Sequence, residues 1–364
     1  MTHSNSDNDE AGTQARAYQP ERLVDNHGRV IHDLRVSVTD RCNYKCVYCR
    51  TGETGIPADR TSFVGWEIGA HYPELAIEEY LRLIRVFVTL GITKVRLTGG
   101  EPLLRRGLVE LIQELAGMRL LNGEPLELAL TTNGHLLKRL AAPLKAAGLQ
   151  RVTVSMDAVE AATFERVTRV PGSFAAVLAG IRAAREAGLE PLKINCVLLR
   201  GFNDDQIEGF AEFARRERVV VRFIEFMPLE EGRIWTPEIV VPQKEILQRI
   251  GRVLPLVELP PREASETARR YTFADGVGEI GIIAPVSQAF CGACSRVRLT
   301  SDGKIRTCLF SQVEHDLYGR LRAGASDGEL AAYIIRTIEG KEARHHIGEP
   351  GFLKPSRSMV HIGG

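Results

Sequence analysis

A predicted strand and a cysteine motif meet in one segment, Asp33-Leu-Arg-Val-Ser-Val-Thr-Asp-Arg-Cys-Asn-Tyr-Lys-Cys-Val-Tyr-Cys49. Apolar residues alternate from Leu34 to Val38, and the cysteines that follow have the spacing C-x3-C-x2-C. We call Cys42, Cys46 and Cys49 the first cysteine group. Three close thiols suit a [4Fe-4S] cluster with one open iron, whereas structural zinc takes four ligands. An iron–sulfur cluster is favoured, and a zinc site or a redox or structural thiol group stays open.

Three further cysteines lie near the C-terminus in the spacing C-x2-C-x13-C, and Cys291, Cys294 and Cys308 form this second cysteine group. Such a pattern is also typical of zinc, for which His315 would be the nearest fourth ligand. A structural site that only ties the C-terminal region together is another alternative. The presence of the first group favours a second iron–sulfur cluster. Cys196, in an apolar run, is predicted to be a buried side chain without function.

The charge balance excludes several classes of partner. The chain has 47 Lys and Arg against 46 Asp and Glu, a formal net charge of +1, so the overall charge does not indicate binding to nucleic acid or to a membrane surface.

No apolar run approaches the length of a membrane span, and the polar, acidic N-terminus is unlike a signal or transit peptide. Two groups of three cysteines fit metal sites in a reducing compartment better than a disulfide framework. We expect a cytoplasmic protein.

Strand and helix patterns alternate along the first two thirds of the chain. Strands are predicted at 34–38, 94–98, 126–131, 151–155, 192–198 and 219–226, and the helices between them at 74–91, 103–115, 136–147, 173–187 and 204–218. This alternation predicts an α/β fold with a parallel sheet, either open or closed into a barrel. Polar words such as Thr98-Gly-Gly-Glu-Pro102 and Ser155-Met-Asp-Ala158 follow the strand ends, where both architectures place an active site.

Cations interrupt several apolar strand patterns. Arg35, Arg96 and Lys193 each stand inside such a run, and Arg296 and Arg298 occupy alternate positions of a later one. A charge on a strand usually faces solvent. Inside a barrel it would need an anionic partner, and paired arginines bind polyanions through bidentate hydrogen bonds.

The chain divides into four predicted segments. Residues 1–27 are expected to be a disordered extension, 28–255 the main α/β unit, 256–345 a smaller region with the second cysteine group, and 346–364 a tail that ends in Gly-Gly. Residues 51–73 are predicted to be a long loop. His345 and His346 are interpreted as surface residues.

The first motif, with Tyr48 before its last cysteine, resembles the signature of radical S-adenosylmethionine (SAM) enzymes. Residues 33–43 and the word Cys-x2-Cys-x-Arg-x-Arg-Leu at 291–299 resemble the GTP 3',8-cyclase family of molybdenum cofactor biosynthesis. The resemblance implies an incomplete (β/α)6 TIM-like barrel, with a smaller C-terminal region that carries a second [4Fe-4S] cluster. One departure is Arg50-Thr51-Gly52, where the family usually has a Met-Pro pair and a shorter connection.

The resemblance also implies an activity: GTP is converted to (8S)-3',8-cyclo-7,8-dihydroguanosine 5'-triphosphate after a 5'-deoxyadenosyl radical takes the ribose C3' hydrogen. No side-chain acid or base is implied. The cofactors would be SAM and two [4Fe-4S] clusters, held by the two cysteine groups. The implied SAM-binding residues are Tyr48, Gly100, Ser155 and Met227. The implied GTP-binding residues are Arg35, Arg96, Thr131, Lys193, Arg296, Val297 and Arg298.

The implied partners are a flavodoxin-like or ferredoxin-like reductant and a downstream cyclic pyranopterin monophosphate synthase, and a homodimer stays open. In this family the terminal Gly-Gly, here Gly363-Gly364, is thought to enter the active site. The alternatives are another twin-cluster radical SAM enzyme such as a peptide maturase, or a zinc-stapled α/β protein without catalysis. An electron carrier is disfavoured because neither group has four cysteines.

Overall fold

The structure, a computed structural model, describes residues 22–49, 74–231 and 234–363. The departure at 50–52, the loop predicted at 51–73 and most of the predicted N-terminal extension lie outside these residues. The strands described are β1 (Asp33–Ser37), β2 (Lys94–Thr98), β3 (Glu127–Thr132), β4 (Arg151–Ser155), β5 (Lys193–Leu198), β6 (Val220–Glu225), β7 (Leu256–Leu259), β8 (Arg269–Phe273), β9 (Glu279–Ile283), β10 (Arg296–Leu299), β11 (Lys304–Arg306) and β12 (His315–Asp316).

The helices lie mainly between the parallel strands, as the alternating pattern predicts. They are α1 (Ile77–Thr89), α2 (Leu108–Ala116), α3 (Leu137–Ala146), α4 (Ala161–Thr168), α5 (Ser173–Glu186), α6 (Ile207–Glu217), α7 (Gln243–Val253), α8 (Tyr318–Arg322), α9 (Asp327–Glu339) and α10 (Met359–Ile362). The six predicted strands of the alternating pattern are confirmed to within one residue at either end. The helix predicted at 103–115 is wrong in its first turn, because Gly107 adopts φ +78° and α2 begins only after it.

All these strands join in one sheet, in the order β12-β11-β10-β1-β2-β3-β4-β5-β6-β9-β8-β7. Neighbours from β10 through β1–β6 to β9 are parallel, and the pairs at both ends of the sheet are antiparallel. The six-unit α/β core of the predicted barrel is therefore present, and its parallel sheet is extended by one strand on each side.

The C-terminal region builds both edges of the sheet. Strands β7–β9 continue it from β6, and the chain then returns to place β10–β12 beside β1. The boundary predicted at residue 255 falls between α7 and β7 and does not separate two sheets. Because β10 pairs with β1, the segment that carries the second cysteine group lies against the strand that leads to the first.

The start of the described chain is folded earlier than predicted. Leu23 is only 2% exposed, its N–H donates to the oxygen of Leu90, and Val24 forms a β-bridge with Val30. The prediction of disorder is therefore wrong for residues 22–27, because an apolar anchor docks them on the end of α1. Among the described helices, none has both the length and the apolar character needed to cross a bilayer.

Candidate active site

A cavity of about 570 Å³ lies along the inner face of the parallel strands. Both cysteine groups line it, and all six thiols are partly exposed. The first group follows the carboxyl end of β1, whereas Cys291 and Cys294 precede the amino end of β10. Since these two strands are parallel neighbours, the groups lie at opposite ends of a strand of five residues, about 17 Å long.

Two glycines after β2 let the first cysteine loop cross the end of the sheet. The N–H of Gly100 donates to the oxygen of Thr39 at 2.8 Å, and the N–H of Glu101 donates to the oxygen of Arg41 at 2.7 Å. A Cβ atom on Gly100 would lie 2.8 Å from the oxygen of Asp40 and closer still to that of Arg41. The Gly-Gly pair is therefore required by the close approach of the backbone that leads into Cys42.

Glu101 ties this crossing to the next strand. Its fully buried carboxylate accepts hydrogen bonds from Thr132 Oγ1 at 2.6 Å, Asn133 N at 2.7 Å and Leu103 N at 3.0 Å. Burial raises the pKa of this carboxyl to about 7, against the lowering effect of its donors. The carboxyl ends of β2 and β3 are thereby held together beside the first cysteine group.

Tyr48 is fixed by a buried carboxylate at the end of β4. Its hydroxyl donates to Oδ2 of Asp157 at 2.8 Å, and the N–H of Val197 donates to Oδ1 at 2.9 Å. Burial raises the pKa of Asp157 to about 6, although both hydrogen bonds lower it. The residues predicted to bind SAM come together here, since Tyr48, Gly100, Ser155 and Met227 all line the cavity near the carboxyl ends of the strands.

Cations from neighbouring strands lie side by side along the middle of the cavity. Arg35 stands in register with Arg96 on one side and Arg298 on the other, so three guanidinium groups lie on adjacent strands. Burial lowers the pKa of Arg35 to about 10, although Asp33 opposes this, and its Nε has no hydrogen-bond partner among the described residues. Like charges placed side by side are destabilising, and a bound anion would relieve them.

Lys193 on β5 and Arg222 on β6 add two more cations to the same side of the cavity. Burial, with the charges of Arg222 and Arg151, lowers the pKa of Lys193 to about 7. Arg222 donates from Nε to Oδ1 of Asn195 at 2.9 Å, and burial lowers its pKa to about 9. Sequence reasoning missed Arg222, although it interrupts an apolar strand run in the same way as Lys193.

Among the predicted GTP contacts, Arg35, Arg96, Thr131, Lys193, Arg296 and Arg298 all line the cavity. Val297 does not: its side chain belongs to the hydrophobic core, as expected for the residue between two inward-facing arginines. His315, the suspected zinc ligand, lies on β12 outside the cavity lining.

The second cysteine group lies in a basic setting. Burial raises the pKa of Cys294, but Arg296 and Lys341 more than offset this and lower it to about 7. NH2 of Arg296 also donates to Sγ of Cys294 at 3.3 Å. A thiolate is the form that binds metal, so this setting suits Cys294 to ligate a cluster, whereas burial raises the pKa of Cys308. In the described parts of the chain, no three His, Cys, Asp or Glu side chains converge as the ligands of one metal ion do, and a four-iron cluster does not require this.

Two residues near this group correct or extend the sequence analysis. His345, interpreted as a surface residue, lines the cavity, because its ring packs on Phe310 with the centroids 5.2 Å apart. Lys341, which sequence reasoning missed, is buried and donates from Nζ to the oxygen of Thr307. A lysine just after a helix is normally exposed to solvent, so no local sequence pattern indicates that Lys341 is buried.

Helix α10 and the residue that follows it pack against the wall of the cavity. NH1 of Arg298 donates to the oxygen of Gly363, and a Cβ on Gly363 would lie 2.8 Å from Cγ2 of Thr98. Met359 and Val360 line the cavity beside it. Gly364 lies outside the described residues.

Two solved structures share the fold of this chain. The chain resembles Streptococcus suis SuiB bound to S-adenosylmethionine with a TM-score of 0.54 and 12% identity, covering 84% of this chain and 68% of that one. SuiB bound to its precursor peptide SuiA gives a TM-score of 0.57 and 14% identity, covering 86% and 67%. At this identity the likeness concerns the fold alone.

The sequence relatives are much closer. Residues 36–214 match the family model of the radical SAM superfamily, and residues 219–347 match that of Molybdenum Cofactor Synthesis C. The GTP 3',8-cyclase of Moorella thermoacetica is 44% identical over 342 residues, covering 94% of this chain and 100% of the relative. That of Xanthomonas axonopodis pv. citri is 46% identical over 348 residues, covering 94% and 99%. The chain therefore belongs to the radical SAM superfamily and, within it, to the GTP 3',8-cyclase family.

Proposed function

We propose that this enzyme converts GTP to (8S)-3',8-cyclo-7,8-dihydroguanosine 5'-triphosphate, the first step of molybdenum cofactor biosynthesis. One observation carries the proposal: two groups of three cysteines lie at opposite ends of a single cavity, and cations from adjacent strands line the space between them. The relatives named GTP 3',8-cyclase match over nearly the whole chain and support this activity.

The first cysteine group would hold a [4Fe-4S] cluster, and Tyr48, Gly100, Ser155 and Met227 would bind SAM beside it. When bound, this cluster and SAM supply the 5'-deoxyadenosyl radical that takes the C3' hydrogen of the ribose. The protein contributes orientation, because the glycine crossing and the bond from Tyr48 to Asp157 fix the loop around these sites.

The middle of the cavity would hold the triphosphate. Arg35, Arg96 and Arg298 stand in register on three neighbouring strands, and a polyanion among them would remove the repulsion between their charges. Lys193 and Arg222 add two more cations to the same side of the cavity. Thr131 would contribute a hydroxyl, whereas Val297 can contact GTP only through its main chain because its side chain lies in the core.

The second cysteine group would hold the other [4Fe-4S] cluster, with the guanine base next to it and Arg296 close by. GTP bound in this way would place its ribose between the base and the triphosphate, with C3' facing the SAM site. The C3' radical would then add to C8 of the base, which breaks the C8=N7 π bond, and one electron from the reductant and one proton would complete the 7,8-dihydro product. Catalysis by the protein is then mainly the orientation of one C–H bond and one ring carbon.

We also propose the finer assignments that follow from family membership. The electron donor would be a flavodoxin-like or ferredoxin-like protein, and a cyclic pyranopterin monophosphate synthase would consume the product. A homodimer is compatible with the proposal. A cytoplasmic location is supported by the need of both cysteine groups for reduced thiols. The four segments 1–27, 28–255, 256–345 and 346–364 stay a proposed division of the sequence, with residues 22–27 assigned to the folded part.

The test is anaerobic reconstitution with iron and sulfide, followed by reduction in the presence of SAM. We expect about eight irons per chain, and 5'-deoxyadenosine formation that rises with GTP but not with ATP, which has the same triphosphate and another base. Cys46→Ala should abolish 5'-deoxyadenosine formation, whereas Cys294→Ala should lower the iron count and the response to GTP. SAM cleavage that ignores GTP would refute the substrate, and stoichiometric zinc without SAM cleavage would refute the radical chemistry.

A further inference from the structure

The second cysteine group is held by a segment of chain that precedes β1. Arg29 is 7% exposed, and NH1 donates to the oxygen of Cys291 at 2.9 Å and to the oxygen of Ala343 at 2.8 Å. NH2 of the same side chain donates to the oxygen of Glu342 at 2.6 Å. One buried guanidinium therefore joins a cysteine of the second group to the segment that follows α9.

The guanidinium of Arg29 is itself held in place by the carboxylate of Asp25. Its Nε donates to Oδ2 of Asp25 at 2.6 Å, and Oδ1 of the same carboxylate accepts from the N–H of His27 and of Arg29. The buried ion pair between Asp25 and Arg29 is thus surrounded by hydrogen bonds, the condition under which such a pair is stable. This ion pair orients the guanidinium of Arg29 so that its NH1 points toward the backbone oxygen of Cys291.

The segment held by Arg29 reaches the third thiol as well. Nζ of Lys341 donates to the oxygen of Thr307, and Oγ1 of Thr307 donates to Oε2 of Glu342 at 2.7 Å. Thr307 directly precedes Cys308. We call Asp25, Arg29, Lys341 and Glu342 the clasp, because together they connect the backbone at Cys291 with the backbone at Cys308.

The residues that enter β1 fix the remaining part of the loop. The N–H groups of His32 and Asp33 both donate to the oxygen of Ser295, at 3.0 and 3.1 Å, and Ser295 directly follows Cys294. All three cysteines of the second group therefore have a neighbouring backbone group held by residues 25–33 or 341–343. Residues 25–33 precede both segments that match the family models.

We propose that Arg29 is a positioning residue for the second cluster, which sets the spacing of Cys291 and Cys308 before the cluster is inserted. The inference rests on the proposed function, because it assumes that the second cysteine group holds a cluster. The two chain segments that carry these cysteines must converge on one cofactor and would otherwise move independently, and an outer residue that orders them raises the affinity for the metal. The positive charge of Arg29 next to Cys291 also favours the reduced cluster.

The experiment isolates the second cluster in a chain that carries Cys42→Ala, Cys46→Ala and Cys49→Ala. This parent chain is reconstituted with iron and sulfide and is expected to bind about four irons. Arg29→Met is then compared with Arg82→Met, a matched control whose arginine also bonds an aspartate, Asp327 at 2.8 Å, and a backbone oxygen, that of Ala325 at 2.6 Å.

We expect Arg29→Met to lose iron to a chelator roughly 10- to 100-fold faster than the parent, and Arg82→Met to lose it at the parent rate. The reduction potential of the second cluster should fall in Arg29→Met and stay near that of the parent in Arg29→Lys, which keeps the charge but not the fork. A merely structural arginine would lower the melting temperature of the metal-free chain and leave iron release unchanged.

Equal iron release from the Arg29→Met and Arg82→Met chains overturns the proposal. If Arg29→Met does not fold by circular dichroism, Arg29→Lys decides by the same measurement, since it should still release iron faster than the control. If the parent chain binds no iron, the second cluster of the proposed function is refuted and the role of Arg29 falls with it. Normal loading of the parent with unchanged release in Arg29→Lys refutes the role of Arg29 alone.

Discussion

The hydroxyl of Tyr48 donates a 2.8 Å hydrogen bond to Oδ2 of Asp157, which joins the first cysteine loop to the end of β4. The carboxylate is buried, and its other oxygen accepts only the N–H of Val197 among the bonds described. The tyrosine ring also packs edge-on against Phe226, with the centroids 6.5 Å apart. Tyr48 is thus oriented from two sides, one polar and one apolar.

We predict that Tyr48→Phe keeps the ring packing and weakens the loop. Asp157 would lose one of its donors while buried, which costs about 1–3 kcal/mol. The melting temperature and the affinity for SAM should both fall, and both can be measured on the reconstituted enzyme by calorimetry. Tyr333→Phe is the control, since Tyr333 lies on α9 outside the cavity lining. Equal behaviour of the two variants would contradict a positioning role for the Tyr48 hydroxyl.

A second prediction concerns the glycine crossing. In Gly100→Ala the new methyl group would meet the backbone oxygens of Asp40 and Arg41, which cannot move without displacing Cys42. We expect loss of the first cluster, measured as iron retained in a chain whose second cysteine group is replaced by alanine. Gly251→Ala is the matched control, because its Cβ would meet open space on α7. Full iron retention in the Gly100→Ala chain would show that the crossing can relax.

The parallel core was predictable because each of its strands and helices has a recognisable local sequence pattern. Strands β2 and β4 are apolar runs between helix ends marked by glycines, and their predicted bounds match the structure. Strand β7 was missed because it lies in a proline-rich stretch, where the alternation of apolar residues is lost. The pairing of β10 with β1 joins distant parts of the chain, and no local pattern encodes such a contact.

The residues of the candidate site also fall into two kinds, those with a local sequence signal and those that only tertiary packing brings to the cavity. The strand cations Arg35 and Lys193 could be selected because a charge inside an apolar run needs an explanation, and Arg222 carried the same signal. Lys341 and His345 could not be found in this way. Each follows a helix in a polar sequence, and only tertiary packing against Thr307 and Phe310 brings it to the cavity.

A third prediction concerns the three arginines that stand in register on neighbouring strands. Arg298→Ala removes one guanidinium of the row that Arg35 and Arg96 complete, so GTP should lose a charge-assisted hydrogen bond. Such a bond is worth about 1.5–3 kcal/mol, which is roughly a 10- to 150-fold loss of GTP affinity. The affinity for SAM should change little.

The control for this variant is Arg249→Ala, which removes an arginine paired with Glu208 between α6 and α7. Isothermal titration with GTP is the measurement for both. If GTP binds the Arg298→Ala chain as tightly as it binds the control, the triphosphate does not lie against this row.

The last prediction follows from the low pKa of Lys193, which burial and the charges of Arg222 and Arg151 hold at about 7. Above this pH the amine is mostly neutral in the free enzyme. A bound triphosphate stabilises the ammonium form and raises its pKa, so GTP binding takes up a proton. Affinity should therefore be highest below pH 7 and should fall by up to about tenfold per pH unit as the pH rises through and above this value.

Lys193→Met should bind GTP more weakly at pH 6.5 and lose this additional pH dependence. Lys244→Met, which removes an exposed lysine of α7, should behave as the unaltered enzyme. The ratio of affinities between the two variants removes the titration of GTP itself, which is common to both. Proton uptake can be measured directly from binding enthalpies in buffers of different ionisation enthalpy. A ratio that stays constant from pH 6.5 to pH 9 would mean that Lys193 does not face the phosphates, because a lysine that gains a proton on binding must make the affinity depend on pH.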